Sequence, residues 1–251
     1  MVTNFKMVVQ YDGTKYDGWQ KQGQNGSAKR ENTIQGKLEF VLSKMTGEEI
    51  AVHGSGRTDA GVHAKEQVAN FKTERKVTAQ YVKDYLNEYL PEDIAVVSVE
   101  ETDERFHARL NAKAKRYLYR INNSNVSNVF ERKYVYQVLE PLNLEAMEEA
   151  VSYLMGKHDF KSFCSNKRMT KSSVRTLYEV DVEKIDNEID FMFYGDGFLH
   201  NMVRIMVGTL IEIGLEKRRP EEIVSIFEAQ DRSAAGFTAP GKGLTLIEVE
   251  Y

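Results

Sequence analysis

The chain has 251 residues, and its 41% hydrophobic and 29% charged shares are typical of a globular protein with room for two compact lobes or one large domain. No apolar run approaches the roughly 20 residues that a membrane-spanning helix needs, and residues 1–10 are too polar for a secretory signal, so we expect no membrane partner. The net charge of −4 argues against a uniformly basic surface, and the single cysteine, Cys164, excludes an internal disulfide and favours a cytoplasmic location.

Hydrophobic patterning predicts four strands and two helices in the first half of the chain. Thr33 is a candidate N-cap for a helix that ends at Gly47, and a second helix runs from Thr78 to Tyr89, with Tyr81, Val82, Tyr85 and Leu86 on one side. The strands are predicted at Lys6–Tyr11, Ile50–His53, Gln67–Phe71 and Ile94–Val99.

The second half repeats this mixture of strands and helices. Helices are predicted after the N-cap Asn143, at His200–Ile213, and from Pro220 to about Ala229. Strands are predicted at Ala114–Ile121, Tyr134–Val138, Val174–Val182, Ile189–Tyr194 and Leu244–Val249. The order favours an α+β architecture, an antiparallel sheet with helices packed on one face, divided into an N-terminal lobe (1–108) and a C-terminal lobe (109–251).

Two basic segments stand out against the acidic remainder of the chain. Residues 105–120 and 161–175 carry lysines and arginines without a single acid, and aromatic residues are interleaved with them. One such segment is usually a solvated positive face. Two of them, with aromatic side chains between the charges, favour a nucleic-acid phosphate backbone as the partner.

The stretch 53–64, HGSGRTDAGVHA, places one carboxylate, Asp59, beside the guanidinium of Arg57 in a loop rich in glycine. We expect Gly54, Gly56 and Gly61 to adopt positive φ and to allow close approach to a ligand. The ordinary alternative is a turn, since Thr-Asp-Ala-Gly is good turn chemistry. The spacing fits neither a dinucleotide fingerprint nor a P-loop. The chemistry that this loop favours is a single aspartate acting as nucleophile or base.

Two further residues have both a structural and a functional interpretation. Arg204 lies in an apolar helix, where it either reaches solvent or pairs with a buried carboxylate such as Asp59. Tyr117 is either a core residue or a platform on which an extruded base stacks. The five histidines lack His-x-x-x-His spacing and no cysteine pair supports them, so we expect no metal site.

With these residues assembled, the chain resembles the TruA family of tRNA pseudouridine synthases over nearly its full length. The most specific shared string is Gly56-Arg57-Thr58-Asp59-Ala60-Gly61-Val62-His63-Ala64. The other shared segments are Tyr11–Thr14, Gly18–Gln20, Leu90–Ile94, Phe106–Arg109, Lys115–Tyr117, Asp159–Phe160, Phe163, Met202–Arg204, Val207–Gly208 and Gly243–Leu244.

The resemblance implies isomerisation of uridine to pseudouridine at positions 38, 39 and 40 of the tRNA anticodon stem-loop. It implies two RRM-like α+β lobes whose sheets join into one antiparallel sheet, with a cleft between the lobes. A homodimer that binds tRNA is implied, with no metal and no organic cofactor.

The resemblance also assigns roles to individual residues. Asp59 matches the catalytic aspartate, Tyr117 the tyrosine that stacks on the target base, and Arg57 the arginine that enters the RNA helix. Arg204 matches the arginine that pairs with the catalytic carboxylate, and Leu244 an apolar wall of the pocket. The tRNA-contacting positions are Phe106, His107, Ala108, Arg109, Leu110, Lys167, Arg168, Met169, Thr170 and Lys171.

Some alternatives remain open from the sequence. The loop at Gln24–Asn32 has no assigned role, and relatives that modify other RNA positions share the central motif. A non-catalytic RNA-binding module and a hydrolase of small phosphorylated molecules are the competing classes. The first would not need the Arg57–Asp59 loop, and the second lacks an acidic cluster for Mg²⁺.

Overall fold

The computed structural model describes residues 2–21, 32–166 and 169–251, which form two compact units. The first unit runs to Lys113 and includes the C-terminal residues Leu246–Tyr251, and the second comprises Ala114–Thr245. Each unit contains both strands and helices, which confirms the predicted α+β class. The division into functional lobes at residues 108 and 109, the RRM-like detail and the cleft stay predictions.

The described residues form ten strands and five α-helices. In the first unit these are β1 (Thr3–Tyr11), α1 (Ile34–Thr46), β2 (Val52–Gly54), β3 (His63–Thr73), α2 (Ala79–Tyr89) and β4 (Ile94–Thr102). Those that follow are β5 (Ala114–Asn123), β6 (Tyr136–Val138), α3 (Leu144–Leu154), β7 (Gly156–Asp159), β8 (Val174–Ile185), β9 (Glu188–Gly195), α4 (Met202–Gly214), α5 (Glu222–Ala229) and β10 (Leu244–Glu250).

The first unit is a sheet in which β1 lies between β4 and β3, and in which β2 and β10 both pair with β3. The β1–β3, β1–β4 and β2–β3 pairs are antiparallel. Alternate residues of β1, namely Phe5, Met7 and Val9, are fully buried, as expected for a strand with one face in the core. Helix α2 packs against β4 and contacts α1.

Helix α2 buries less of its aromatic side than the sequence pattern predicts. Val82 and Leu86 are fully buried, whereas Tyr81 is 49% exposed. The predicted side of the helix is therefore buried at Val82 and Leu86 and open to solvent at Tyr81.

The second unit has the antiparallel strand order β5-β9-β8-β7, with β6 added to β5 in parallel. The β5–β9, β8–β9 and β7–β8 pairs are antiparallel, as predicted, whereas the short β5–β6 pair is parallel. Helix α3 packs against α4, α5 and β8, and Phe191 and Phe193 of β9 are fully buried. Strand β7 was not predicted, and α4 begins at Met202 rather than at His200.

No helix in the described ranges has the length and apolar character needed to cross a membrane.

Candidate active site

The loop that carries Asp59 connects β2 to β3 and is anchored by buried polar side chains. The backbone N–H of Ser55 donates to the carbonyl of Val68 at 2.7 Å, and its hydroxyl donates to Gln67 Oε1 at 2.6 Å. Gln67 Nε2 donates in turn to the carbonyl of Gly56 at 3.1 Å. Ser55 and Gln67 have no exposed surface, so these bonds hold the start of the loop in a dry environment.

The segment after β1 packs against the middle of the same loop. The hydroxyls of Tyr11 and Thr58 lie 2.8 Å apart in the interior, and the backbone N–H of Trp19 donates to the carbonyl of Thr58 at 3.0 Å. Gly18 has φ of +100°, and a Cβ placed there would lie 2.6 Å from that carbonyl oxygen. Only glycine allows so close an approach in this conformation.

Asp59 begins a turn whose geometry supports both interpretations of the motif. The N–H of Val62 donates to the carbonyl of Asp59 at 3.2 Å, and the N–H of Gly61 donates to the carbonyl of Tyr16 at 3.3 Å. The Asp59 residue is half-buried, whereas Arg57 is exposed. Asp59 is therefore a turn residue, and the turn is one that the first unit holds rigidly.

Of the three glycines in the loop, one has the predicted positive φ and two do not. Gly61 has φ of +75° and needs the freedom of glycine, but Gly54 and Gly56 do not adopt positive φ, so the prediction was wrong for these two. Gly54 is required for packing, because a Cβ there would lie 2.5 Å from Cε2 of Trp19. The close approach is to the protein's own tryptophan.

The residues that follow β1 also contact the end of the turn, at Val62 and His63. The N–H of Gly13 donates to Nδ1 of His63 at 3.0 Å, and a Cβ on Gly13 would lie only 1.9 Å from the carbonyl oxygen of Val62. His63 is 3% exposed. The turn around Asp59 is thus clamped on both sides by the Tyr11–Trp19 segment.

In the second unit, Tyr117 lies on β5 and is largely buried. Its exposed fraction is 7%, and its ring meets Phe198 edge-on, with centroids 5.0 Å apart. Phe193 of β9 is its partner in the strand register. The Tyr117 ring thus packs edge-on against Phe198, an arrangement that fits either interpretation of Tyr117.

Arg204 is held in place by backbone and side-chain acceptors of the second unit. Its Nε donates to the carbonyl of Ala239 at 2.7 Å, and its Nη1 donates to Asn201 Oδ1 at 2.8 Å. Arg204 lies near enough to Tyr119 to lower the pKa of that phenol, although burial, the larger effect, keeps the pKa above its ordinary value. The guanidinium is half-buried, and the pairing of Arg204 with Asp59 stays a prediction.

The segment 239–244 brings several of these side chains together. Tyr119 donates its hydroxyl hydrogen to the carbonyl of Pro240 at 2.8 Å, and a Cβ on Gly243 would lie 2.6 Å from the Tyr119 ring. Leu244, which follows directly, is 6% exposed. Arg204, Tyr119 and Leu244 thus share one supporting segment, a relation that the sequence does not reveal.

The predicted RNA-contacting residues of the first unit form a surface loop. Ala108 is fully buried, whereas Leu110 is 78% exposed. Phe106 and His107 are half-buried, and Arg109 is exposed. The loop thus presents an arginine and a leucine to solvent while its centre is anchored in the core.

In the second predicted RNA-contacting segment, Lys167 and Arg168 lie outside the described residues, as does the loop 24–31. Met169 is half-buried, and Thr170 and Lys171 are exposed. Only this end of the segment can therefore be placed on the surface.

Sequence reasoning missed the residues that support the Asp59 turn, chiefly Tyr11, Ser55 and Gln67. Their polar groups are buried and pair over distances of many residues, so no local pattern identifies them as a group. The shared segments Tyr11–Thr14 and Gly18–Gln20 pack against this turn and support it. In the described part of the chain, no cluster of three or more His, Cys, Asp or Glu could hold a metal ion.

Comparison with known proteins identifies the family to which this architecture belongs. A family model described as tRNA pseudouridine synthase matches residues 7–111 and 150–251. The chain belongs to the TruA family of tRNA pseudouridine synthases. This confirms the predicted family and its enzyme class, an isomerase.

Full-length relatives support the assignment to the TruA family. The chain is 47% identical to tRNA pseudouridine synthase A 2 of Bacillus anthracis and 48% identical to tRNA pseudouridine synthase A of a Bacillus species, with 100% of both chains covered in each case. It is 47% identical to tRNA pseudouridine synthase A of Brevibacillus brevis, with 98% of each chain covered. The similarity to a chain of a crystallised Cbf5-Nop10-Gar1 complex covers 96% of this chain and 57% of that one, at 12% identity and a TM-score of 0.35.

Proposed function

We propose that this TruA-family enzyme converts the uridines at positions 38, 39 and 40 of the tRNA anticodon stem-loop to pseudouridine, with Asp59 as the catalytic nucleophile or base. The observation that carries the proposal is the half-buried position of Asp59 on a firmly held turn. Tyr11, Trp19 and Gly13 contact the residues of this turn, and Arg57, two positions before Asp59, is exposed. A carboxylate on so rigid a turn loses little freedom when a substrate binds.

The reaction explains why a fixed carboxylate is useful. The N1–C1′ glycosidic bond of uridine breaks, the uracil rotates, and C5 becomes bonded to C1′. C5 then loses its proton and N1 gains one, so that the product is an isomer of the substrate. Asp59 would either attack C1′ or C6 or remove the proton from C2′, and each of these roles requires a carboxylate at a constant position. Shielding from water keeps the detached uracil from being lost.

The target uridine must leave its helix before it can react. Extrusion of a base costs a few kcal/mol of stacking and pairing energy. Arg57, which is exposed and lies two residues before Asp59, would occupy the vacated space and offset part of that cost. Its guanidinium can both stack on neighbouring bases and contact phosphate.

The second unit supplies the other proposed substrate contacts. Tyr117 would stack on the uracil, and Leu244 would form an apolar wall beside it. Arg204 would hold the negative charge of the catalytic carboxylate, a role consistent with a guanidinium oriented by Ala239 and Asn201. These three roles come from the resemblance and are proposals for this chain.

The remaining parts of the proposal concern partners and location. Residues 106–110 and 167–171 would contact tRNA, and the enzyme would act as a homodimer without a metal or organic cofactor. The buried thiol of Cys164, the only cysteine in the sequence, is compatible with the cytoplasm. Phosphate contacts supply most of the affinity in such complexes, so binding should weaken as salt rises.

The test combines transcripts with an active-site variant. Wild-type enzyme should form pseudouridine at 38, 39 and 40 in tRNA transcripts, and replacing one of these uridines with cytidine should remove only that product. Asp59→Asn should abolish turnover while tRNA affinity stays within about twofold, because only the reacting group has changed. Asp84→Asn, which alters an exposed carboxylate on α2, is the matched control and should remain fully active.

Product at other positions would overturn the site assignment. Substantial turnover by Asp59→Asn would overturn the role of Asp59. Binding without turnover by the wild-type protein would favour the non-catalytic RNA-binding module.

A further inference from the structure

Two histidines lie ring to ring on the first unit: His107, from the segment proposed to contact tRNA, and His53, which has no role so far. His53 is the middle residue of β2, and His107 belongs to the loop after β4. Their ring centroids are 5.0 Å apart, and the ring planes are inclined by 31°. His53 is exposed and His107 is half-buried, so both remain within reach of a ligand.

Buried asparagines link β3, which pairs with the strand of His53, to the loop that carries His107. His53 is the register partner of Asn70 on β3, and Asn70 Oδ1 accepts the backbone N–H of Ala108 at 2.9 Å, next to His107. Asn70 Nδ2 donates to Asn4 Oδ1 at 3.1 Å, and both asparagines are 2% exposed. The sheet and the loop are therefore joined by a buried polar network that includes neighbours of both histidines.

Hydrogen bonds around His107 determine where its proton lies. The backbone N–H of Arg109 donates to Nδ1 of His107 at 3.1 Å, and the backbone N–H of His107 donates to Asn111 Oδ1 at 2.8 Å. Because Nδ1 accepts a hydrogen bond, neutral His107 carries its proton on Nε2. Nε2 is then a hydrogen-bond donor in both protonation states.

The charges around the pair favour an anion. Burial lowers the pKa of His107, and the groups that lower it further are His53 from β2 and Arg109 from its own loop. Protonation of His107 is therefore unfavourable until a negative charge is placed against it. A metal cation would instead meet Arg109, and the described residues contain no cluster suited to a metal.

The location of the pair indicates which anion it would bind. Strand β2 leads directly into the loop of Arg57 and Asp59, and His107 lies in the basic segment 105–120, which contains no acid. A ligand that extends along the surface from the active-site loop and carries repeated negative charge is a polynucleotide. We propose that His53, His107 and Arg109 form a binding site for a phosphodiester of the substrate RNA, and that this contact is accompanied by proton uptake.

This inference rests on the proposed action on tRNA and adds a pH dependence to it. Uptake of one proton makes affinity fall with rising pH, by at most tenfold per unit. Because the site supplies only part of the phosphate contacts, we expect the Kd for RNA to rise about three- to tenfold between pH 6 and pH 8.

The experiment measures the Kd of an anticodon stem-loop transcript by fluorescence anisotropy at pH 6, 7 and 8. Cytidine replaces the three target uridines, so no turnover intervenes. The variants are His53→Gln, His107→Asn, which keeps an acceptor for the Arg109 N–H, and the control His158→Gln, which removes a histidine of the second unit. His107→Asn should weaken binding at pH 6 and leave Kd nearly constant with pH, and His53→Gln should weaken binding at pH 6. His158→Gln should behave like the wild type.

A wild-type Kd that does not change with pH would overturn the inference, and so would a full pH dependence in His107→Asn. Should His107→Asn fail to fold, His53→Gln decides, because its ring lies on the surface: RNA affinity equal to the wild type at pH 6 would overturn the site. Pseudouridine formation by the wild-type enzyme on the uridine-containing transcript is measured in parallel. Its absence would count against the proposed function, whereas an unchanged pH profile counts only against this site.

Discussion

Removing the hydroxyl of Tyr11 should loosen the turn that carries Asp59. In Tyr11→Phe, the hydroxyl of Thr58 loses the partner that lies 2.8 Å away, in a residue that is only 7% exposed. Leaving a buried hydroxyl unpaired costs about 1–3 kcal/mol. For a protein of this size, such a loss lowers Tm by about 2–10 °C.

The same change should reduce turnover more than RNA binding. Tyr11 contacts the turn through Thr58, which directly precedes Asp59, so the variant displaces or loosens the carboxylate without touching the proposed phosphate contacts. A loss of 1.4 kcal/mol in transition-state stabilisation is about tenfold in rate. We expect kcat to fall about tenfold and the Kd for tRNA to stay within twofold.

A double-mutant cycle tests whether this bond is the cause. Thr58→Val removes the other hydroxyl at nearly constant volume, and the double variant leaves neither hydroxyl buried without a partner. The free energies of unfolding from urea titrations should show a coupling of about 1 kcal/mol. Tyr178→Phe, at a residue that is 54% exposed, is the control and should change neither quantity.

Two outcomes would refute this reasoning. Additive effects of Tyr11→Phe and Thr58→Val on stability would show that the two hydroxyls do not act together. Normal stability combined with lost turnover would assign Tyr11 a chemical role rather than a supporting one.

Two further predictions concern packing and pH. Gly54→Ala should destabilise the protein by about 1–3 kcal/mol in urea unfolding, because its Cβ would lie 2.5 Å from the Trp19 ring, and wild-type stability would contradict this packing argument. Burial, reinforced by the charge of Glu188, raises the pKa of Asp190 to about 6, so proton binding favours the folded state and stability is lost as pH rises from about 4 to above 6. Asp190→Asn should therefore raise the free energy of unfolding by about 1 kcal/mol at pH 8, after allowance for solvent screening, and leave it unchanged at pH 4. A variant less stable than the wild type at pH 8 would contradict this.

Helix starts were predictable because capping is local. The side chains of Thr33, Thr78 and Asn143 each accept a hydrogen bond from the backbone N–H three residues later, as their sequence contexts predict. The start of α4 was misplaced because its N-cap, Asn201, has φ of +62° and no side-chain capping bond, so it lacks the usual signal. Strand β7, four residues long, exists because it pairs with β8, and its own pattern is too short to reveal it.

In the candidate site, too, the residues that are close in sequence were predictable and the contacts between distant residues were not. Arg57 and Asp59 were recognisable because they are neighbours in one unusual string, and family membership follows from that string together with the shared segments around it. The support beneath them was not recognisable, since Tyr11 and Thr58 are 47 positions apart. His53 and His107 are likewise unrelated in sequence until the sheet and the loop after β4 bring their rings together.

The amino-acid order alone established the α+β class, most helix and strand positions, the family and the aspartate at the centre of the proposed chemistry. All of these depend on residues within a few positions of one another. The burial of Ser55 and Gln67, the packing role of Gly54, the acceptors of Arg204 and the histidine pair emerged only from the folded chain. These features depend on contacts between distant segments, and short-range periodicity carries no information about which polar groups will meet in the interior.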